Sequence, residues 1–344
     1  MNIILLKKAS FFLAVLAAVI LLGFYHTNQN KNKNLKLAQE IYQIIDHYKV
    51  TYDIDKHSVD VTASIAEEMV AGKEQCIQRI LNFVAFDRPF TMVILSFPFK
   101  SGNQEKKVLG SLPDMAERKS LEYLQQIINE INAIYKPGAS LTIFCDGIMF
   151  AECLGIPMQA VIAYEKGVKA LAKDLHGIRL YTSEEMLKEN KVDSIDQMLS
   201  LLNRNYHTQG SESESVLIKN SDTTFKRVAF ELDYPAGHEH IKKYRFEAIF
   251  KKFMEQEKRL LSYAAQKFPS CDYFYLTAHF IPDMSKEVGI KLSPTSDITP
   301  YHGVLVEEKD GSWALRFLKD VDRRLYTLSS HYINGIECLY FKHI

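Results

Sequence analysis

The sequence predicts an α/β chain: a Rossmann-like open sheet with helices on both faces and a strand-rich C-terminal portion, preceded by one N-terminal apolar anchor helix. Three observations lead there. Two short β-prone apolar runs, TMVILSF at residues 91–97 and SLTIFC at 140–145, flank a stretch of helical periodicity, which is the strand–helix–strand grammar of an α/β fold. Beyond residue 270, short β-prone runs alternate with turn residues. Residues 11–25, FFLAVLAAVILLGFY, form a near-continuous apolar run unlike anything later in the chain.

That run comes first. It follows Lys7 and Lys8, precedes Lys31, Lys33 and Lys36, and has the length of a short membrane span or of a signal-peptide core. No small-x-small cleavage pattern follows it, so residues 1–30 read as an uncleaved anchor that contacts the membrane through residues 10–25. The competing reading is a secretory signal with an unusual cleavage site. The lysines on the distal side slightly outnumber the proximal pair, which places the following domain in the cytoplasm.

The next unit, residues 31–202, opens with helical spacing of Leu37, Ile41, Ile44 and Ile45, and a second helix is expected around Val61 to Phe83. The strand at 91–97 ends in a polar loop, FPFKSGNQEKK. From Pro113 to Tyr135, Leu121, Leu124, Ile128, Ile131 and Ile134 mark one helix face, which Lys136-Pro137-Gly138 stops. The strand at 140–145 then ends at Asp146-Gly147. Residues 203–224 are polar and without period, a loop or linker. The last unit, 225–344, begins with a long helix from His240 to Lys267 and continues through DYFYLTAHF, GIKLSP and a hairpin of HGVLVEE and SWALRFL turned at Lys309-Asp310-Gly311.

Composition narrows the function. The chain has 344 residues, 47% hydrophobic, enough for a substantial core, and its 42 Lys plus Arg balance 42 Asp plus Glu. No global field draws it to nucleic acid, so a charged ligand needs a local cluster. Five scattered cysteines with no CxxC pair suggest neither a disulfide framework nor a zinc knuckle and suit a reducing compartment. Dinucleotide, P-loop, nucleophile-elbow, HExxH and EF-hand patterns are all missing. His238-Glu239-His240 puts its two histidines on different helix faces and reads as a helix start rather than a metal site.

Four places can carry chemistry. Lys100, Ser101, Asn103, Lys106 and Lys107 crowd the loop at the carboxyl end of the first strand, where open α/β sheets bind ligands, and suit a phosphate or carboxylate. A solvated basic loop is the plain alternative. Asp146 stands at a second carboxyl end, where it can hold an amine or hydroxyl or merely serve a turn. His279 and His302 end and precede strands and can transfer protons near neutrality or be structural. Lys291, in GIKLSP, is a further cation or an exposed strand position.

The order FPFKSGN, KKVLGSLPDMAE, CDG, LTAH and TPYHG resembles the pyoverdine/dityrosine biosynthesis family over roughly residues 85–320, most specifically between Phe97 and Phe150. The resemblance implies an isocyanide synthase, which joins the amino group of tyrosine or tryptophan to a carbon of ribulose 5-phosphate in secondary metabolism. It implies no cofactor and no metal, and an iron/2-oxoglutarate oxygenase as a partner acting on the product. Lys100, Ser101 and Asn103 match the FPFKSxN loop, Asp114 and Glu117 the LPDxxE segment, and Asp146 the SDG turn, with Cys145 for its serine. His279 matches a strand-ending histidine, Lys291 stands for a usual arginine, and Thr299, Pro300 and His302 match TPWH with Tyr301 for tryptophan. Tyr275 and Ile148 depart from an arginine and a polar residue, losing a bidentate anion contact. The roles implied are Asp146, His279 and His302 as catalytic groups, Lys100, Ser101, Asn103, Lys107 and Lys291 as phosphate and substrate holders, and Asp114 and Glu117 as support. A dityrosine-type formylating enzyme, a non-catalytic family member that binds an amino acid or a partner, and an unrelated anchored hydrolase remain open.

Overall fold

The structure, a computed structural model, describes residues 30–50, 63–205, 252, 255–256, 258–278 and 287–344. The apolar run at 11–25, the linker at 206–224, His238-Glu239-His240 and His279 lie outside the described residues. Among the described residues no helix is long and apolar enough to cross a membrane.

The first helix, α1, spans residues 30–47, followed by α2 (Ala63–Ala85) and β1 (Phe90–Leu95). β1 reads FTMVIL without polar alternation because it is covered on both faces, as a central parallel strand must be. Helix α3 (Met115–Ile134) buries Leu121, Leu124, Ile127, Ile128 and Ile131 along one stripe. It starts at a capping box, in which Asp114 accepts from Ala116 N and Glu117 accepts from Asp114 N, so two of its free N–H groups are satisfied at once. It stops before Tyr135, and the chain turns at Gly138 into β2 (Ala139–Phe144). Then follow α4 (Gly147–Phe150), α5 (Met158–Leu171), β3 (Ile178–Tyr181), α6 (Ser183–Asn190) and α7 (Ile195–Asn205). A helix described over 258–267, α8, leads to β4 (Phe274–Thr277) and β5 (Glu287–Gly289).

These five strands make one fully parallel sheet in the order β3-β2-β1-β4-β5. The chain steps outward from β1 through β2 to β3 and then returns to the other side of β1. Right-handed crossovers therefore put α3 and α5 on one face and α8 on the other. Rings of Phe144, Tyr181, Tyr263 and Phe268 pack together and fasten α8 to its face. The reversal lies between β1 and β4, and the crevice at their carboxyl ends is where a sheet of this kind takes its ligand.

The sheet draws strands from both sides of the 203–224 segment, so the two units on either side of it share one core. The C-terminal portion adds a second sheet, β7-β6-β9-β8, from β6 (Val304–Glu307), β7 (Trp313–Arg316), β8 (Tyr326–Ile333) and β9 (Ile336–His343). The expected hairpin is there, turned at Gly311 with φ +79°. A second hairpin, β8–β9, turns at Asn334-Gly335, both with positive φ, as a two-residue type I′ loop requires. Helix α3 lies between the sheets and touches β2, β6 and β9.

Candidate active site

β1 and β2 end side by side, Leu95 paired with Phe144, and the chain leaves β1 through a sharp bend. Phe97 takes φ +56°, a left-handed conformation that costs a bulky residue free energy and is kept only where the surroundings impose it. Its ring is fully buried and meets Tyr301 edge-on at 6.0 Å, while Tyr301 in turn meets the His302 ring at 4.7 Å. At the end of β2 a glycine is obligatory: a Cβ on Gly147 would lie 2.0 Å from the Pro98 carbonyl oxygen. The Asp146-Gly147 turn and the Phe97–Lys100 bend are thus pressed together.

The loop after the bend grips a segment two hundred residues later. Ser101 N donates to Tyr301 O at 2.8 Å, and Lys100 Nζ donates to Pro300 O at 3.0 Å. Pro300, Tyr301 and His302 form a single 3₁₀ turn directly before β6. The loop itself is closed by Asn103 N on Ser101 Oγ and by Lys106 N on Asn103 Oδ1.

Lys100 is turned inward. Its side chain is 0% exposed, and its ammonium lies 2.8 Å from both Glu117 oxygens and 3.0 Å from Asp114 Oδ2. Burial works against its charge, but the two carboxylates outweigh burial and hold it above its usual range. Glu117 also accepts from Tyr164 Oη at 3.1 Å. One cation shared by two buried carboxylates leaves a surplus negative charge, so burial pushes Glu117 up, with Lys100 opposing and Asp114 adding.

Other polar atoms around the same loops have no partner among the described residues. Ser96 Oγ, Asn103 Nδ2 and Thr299 Oγ1 are buried without a hydrogen bond, and their residues are 1%, 5% and 6% exposed. Buried polar groups are nearly always satisfied, so three near one strand end mark a place where a ligand is expected.

The structure therefore brings together Lys100, Ser101, Asn103, Asp114, Glu117, Asp146 and His302 around the carboxyl ends of β1 and β2. Asp146 is half-buried and makes no capping bond to α4. His302 is half-buried. The chain leaves β4 at Thr277, two residues before His279. Lys107 is buried, its ammonium 5.8 Å from the Phe317 ring, rather than presented with the loop's other polar groups. Lys291 is not a strand residue, a correction to the expectation from GIKLSP: β5 ends at Gly289, and an isolated bridge between Lys49 and Ile290 takes the ladder's place. That bridge carries Lys291 N onto Tyr48 O at 2.7 Å.

The two departures have local explanations. Tyr275 spends its hydroxyl on the carbonyls of Ala264 and Phe268, at 3.1 and 2.6 Å, and so fastens α8 to β4. Ile148 is fully buried in the core. Ser96, Tyr164 and Glu165 had no sequence signal. Glu165, buried beside Cys145 and Asp146, accepts from Ser183 N and Oγ, and burial pushes its pKa up to about 8. Burial, with Glu165 and Asp146 adding, raises the Cys145 thiol well above its usual range, which makes it unreactive.

A sequence model of the family described as "Pyoverdine/dityrosine biosynthesis protein" matches residues 80–328. Among curated proteins the chain is similar to the L-tyrosine isonitrile synthase of Pseudomonas aeruginosa, 28% identical over 263 residues, 72% of this chain and 79% of that one. It is also similar to the L-tyrosine isonitrile synthase of Xenorhabdus nematophila, 27% identical over 288 residues, 78% and 80% of the two chains. An L-tryptophan isonitrile synthase of Fischerella ambigua is 34% identical over 148 residues, but the match spans only 42% of this chain and 43% of that enzyme's length. Among solved structures, the PvcA protein of Pseudomonas aeruginosa superposes with a TM-score of 0.73 at 25% identity, covering 89% of this chain and 99% of that one.

Proposed function

Because this chain belongs to the pyoverdine/dityrosine biosynthesis family, we propose that it is an isonitrile (isocyanide) synthase that converts the amino group of tyrosine or tryptophan, with ribulose 5-phosphate as the carbon donor. The observation that carries the reading is the contact between the FPFKSGN loop and the TPYH turn, made by the Ser101 and Lys100 bonds at the β1/β4 reversal. Tyrosine is favoured as the amino acid by the two long matches to L-tyrosine isonitrile synthases.

The chemistry asks for three things. An amine must meet a ketone carbon, so both substrates have to be fixed against each other. Asp146 holds the α-amine, and Ser101, Asn103 and Thr299 donate to substrate oxygens, which the unpartnered Asn103 and Thr299 atoms support. Lys291 adds positive charge near the phosphate. Imine formation expels water and the later elimination moves protons again, so His302 and His279 serve as the acid and base groups. The product passes to an iron/2-oxoglutarate oxygenase. A cytosolic sugar phosphate requires the domain to face the cytoplasm with residues 10–25 as its anchor, which a C-terminal reporter fusion tests.

Purified protein incubated with L-tyrosine or L-tryptophan and ribulose 5-phosphate is expected to yield a product that has gained one carbon and lost two hydrogens. A product that has gained one carbon and one oxygen would make it a formylating enzyme instead. No product with any amino acid would make it a binding protein.

A further inference from the structure

The geometry points to Lys100 as a positioning residue rather than a phosphate holder: through its ammonium, the start of α3 sets the turn that carries His302, and Tyr164 on α5 completes the joint. The inference rests on the reading of His302 as an acid or base group.

The ammonium has three N–H bonds and four protein acceptors within 3.0 Å: two oxygens of Glu117, one of Asp114 and the Pro300 carbonyl. Nothing is left for a substrate, and a side chain with 0% exposure has no route to one. What the arrangement does is mechanical. Asp114 and Glu117 are the capping box of α3, so their carboxylates are fixed to the first turn of a long, buried helix. Pro300 belongs to the same 3₁₀ turn as His302, and the neighbouring Ser101 N bonds Tyr301 O, so two consecutive loop residues hold two consecutive carbonyls of that turn.

Tyr164 sets the position of Glu117 from the far side. Gly167, one helical turn later on α5, lies so close to Pro113 that a Cβ would fall 2.4 Å from Pro113 Cγ. That close approach brings the Tyr164 hydroxyl within 3.1 Å of Glu117 Oε1. The joint thus links α3, α5, the β1 bend and the His302 turn, with every member's charge or hydroxyl partnered inside the protein.

The test compares Lys100→Met and Tyr164→Phe with wild type in the isonitrile assay, reading kcat and KM for ribulose 5-phosphate separately, with calorimetric binding of ribulose 5-phosphate alongside. A displaced acid or base costs rate, so kcat is expected to fall by about a hundredfold in Lys100→Met and about tenfold in Tyr164→Phe, while affinity stays within about threefold. If Lys100→Met does not fold, Tyr164→Phe carries the comparison, since it removes one hydroxyl and no charge. Weakened ribulose 5-phosphate binding with kcat retained would overturn the inference and make Lys100 an anion holder. Unchanged kcat in Tyr164→Phe would overturn it too.

Two further measurements separate this inference from the reading beneath it. His302→Gln with wild-type activity would sink the catalytic role of His302 and leave the joint untouched. The NMR shifts of the His302 ring need no activity: they are expected to move in Tyr164→Phe and to stay put in Lys36→Gln, an exposed α1 control, and a ring unmoved in Tyr164→Phe would overturn the joint.

Discussion

Lys100 and Asn103 stand three residues apart in one loop and are almost equally hidden from water, yet the protein treats them in opposite ways. Around the lysine every polar atom is matched: ammonium to two carboxylates and a carbonyl, carboxylate to a phenol and an N–H. The asparagine Nδ2, like the hydroxyls of Ser96 and Thr299, is buried with nothing among the described residues to receive it. Because an unmet buried donor costs about 1–3 kcal/mol, the second region stores a debt that a bound molecule can relieve, whereas the first has none. A fully matched cluster belongs to the scaffold, and an unmatched one belongs to the ligand.

The largest effect is expected where matching is complete. Lys100→Met strands two carboxylates in the interior and is expected to lower stability by about 3–5 kcal/mol, as removal of one partner from a buried pair does. Denaturant titration measures it, and a loss below about 1 kcal/mol would mean that the cluster is not the dry joint described. Asn103→Asp keeps the acceptor used by Lys106 N and removes the unmatched donor. Its melting temperature is expected to fall, because the variant buries a new carboxylate, while KM for ribulose 5-phosphate rises by about ten- to a hundredfold. Thr299→Val, an isosteric loss of an unpartnered hydroxyl, is expected to leave stability equal or better and to raise KM by less than about tenfold. A destabilised Thr299→Val would erase the contrast between the two regions.

Sequence made much of this legible and stopped at identifiable points. The strand runs at 91–97 and 140–145, the helix between them and the Gly311 hairpin stand out because each has a period or a turn residue that admits one backbone. The Asn334-Gly335 hairpin carries the same kind of signal in YINGIE, an Asn-Gly pair between two β-prone runs. Asp114 and Glu117 also spell a capping box, D-x-x-E ahead of an apolar stripe, so their first duty was readable locally. The direction of Lys100 was not, because a lysine in a polar loop looks the same whether its partners are substrate oxygens or two carboxylates more than a dozen residues away. Tyr164 was invisible for a similar reason: on a helix face it looks like any core aromatic, and only the close approach at Gly167 gives its hydroxyl a partner. The left-handed Phe97 has no sequence signal at all, since bulky residues rarely take that conformation.

The smallest expected effect lies beside Asp146. Glu165, with its pKa raised from 4.5 to about 8, favours the folded state when protonated, so its contribution is full below pH 4.5 and is lost as pH rises through about 8. Glu165→Gln mimics the protonated form, and its melting temperature is expected to fall less than that of wild type between about pH 5 and 8. Parallel melting curves across that range would mean that the carboxylate is ionised in the fold and that Ser183 suffices to hold it.

The most direct test of the whole account is one comparison of products: wild type and Asn103→Asp, each incubated with L-tyrosine and ribulose 5-phosphate, followed by mass spectrometry. The account predicts an isonitrile from wild type, and from the variant the same product only when the sugar phosphate is raised well above the wild-type requirement. An isonitrile formed by Asn103→Asp at the wild-type sugar-phosphate requirement, or none formed by the wild-type protein, would contradict it.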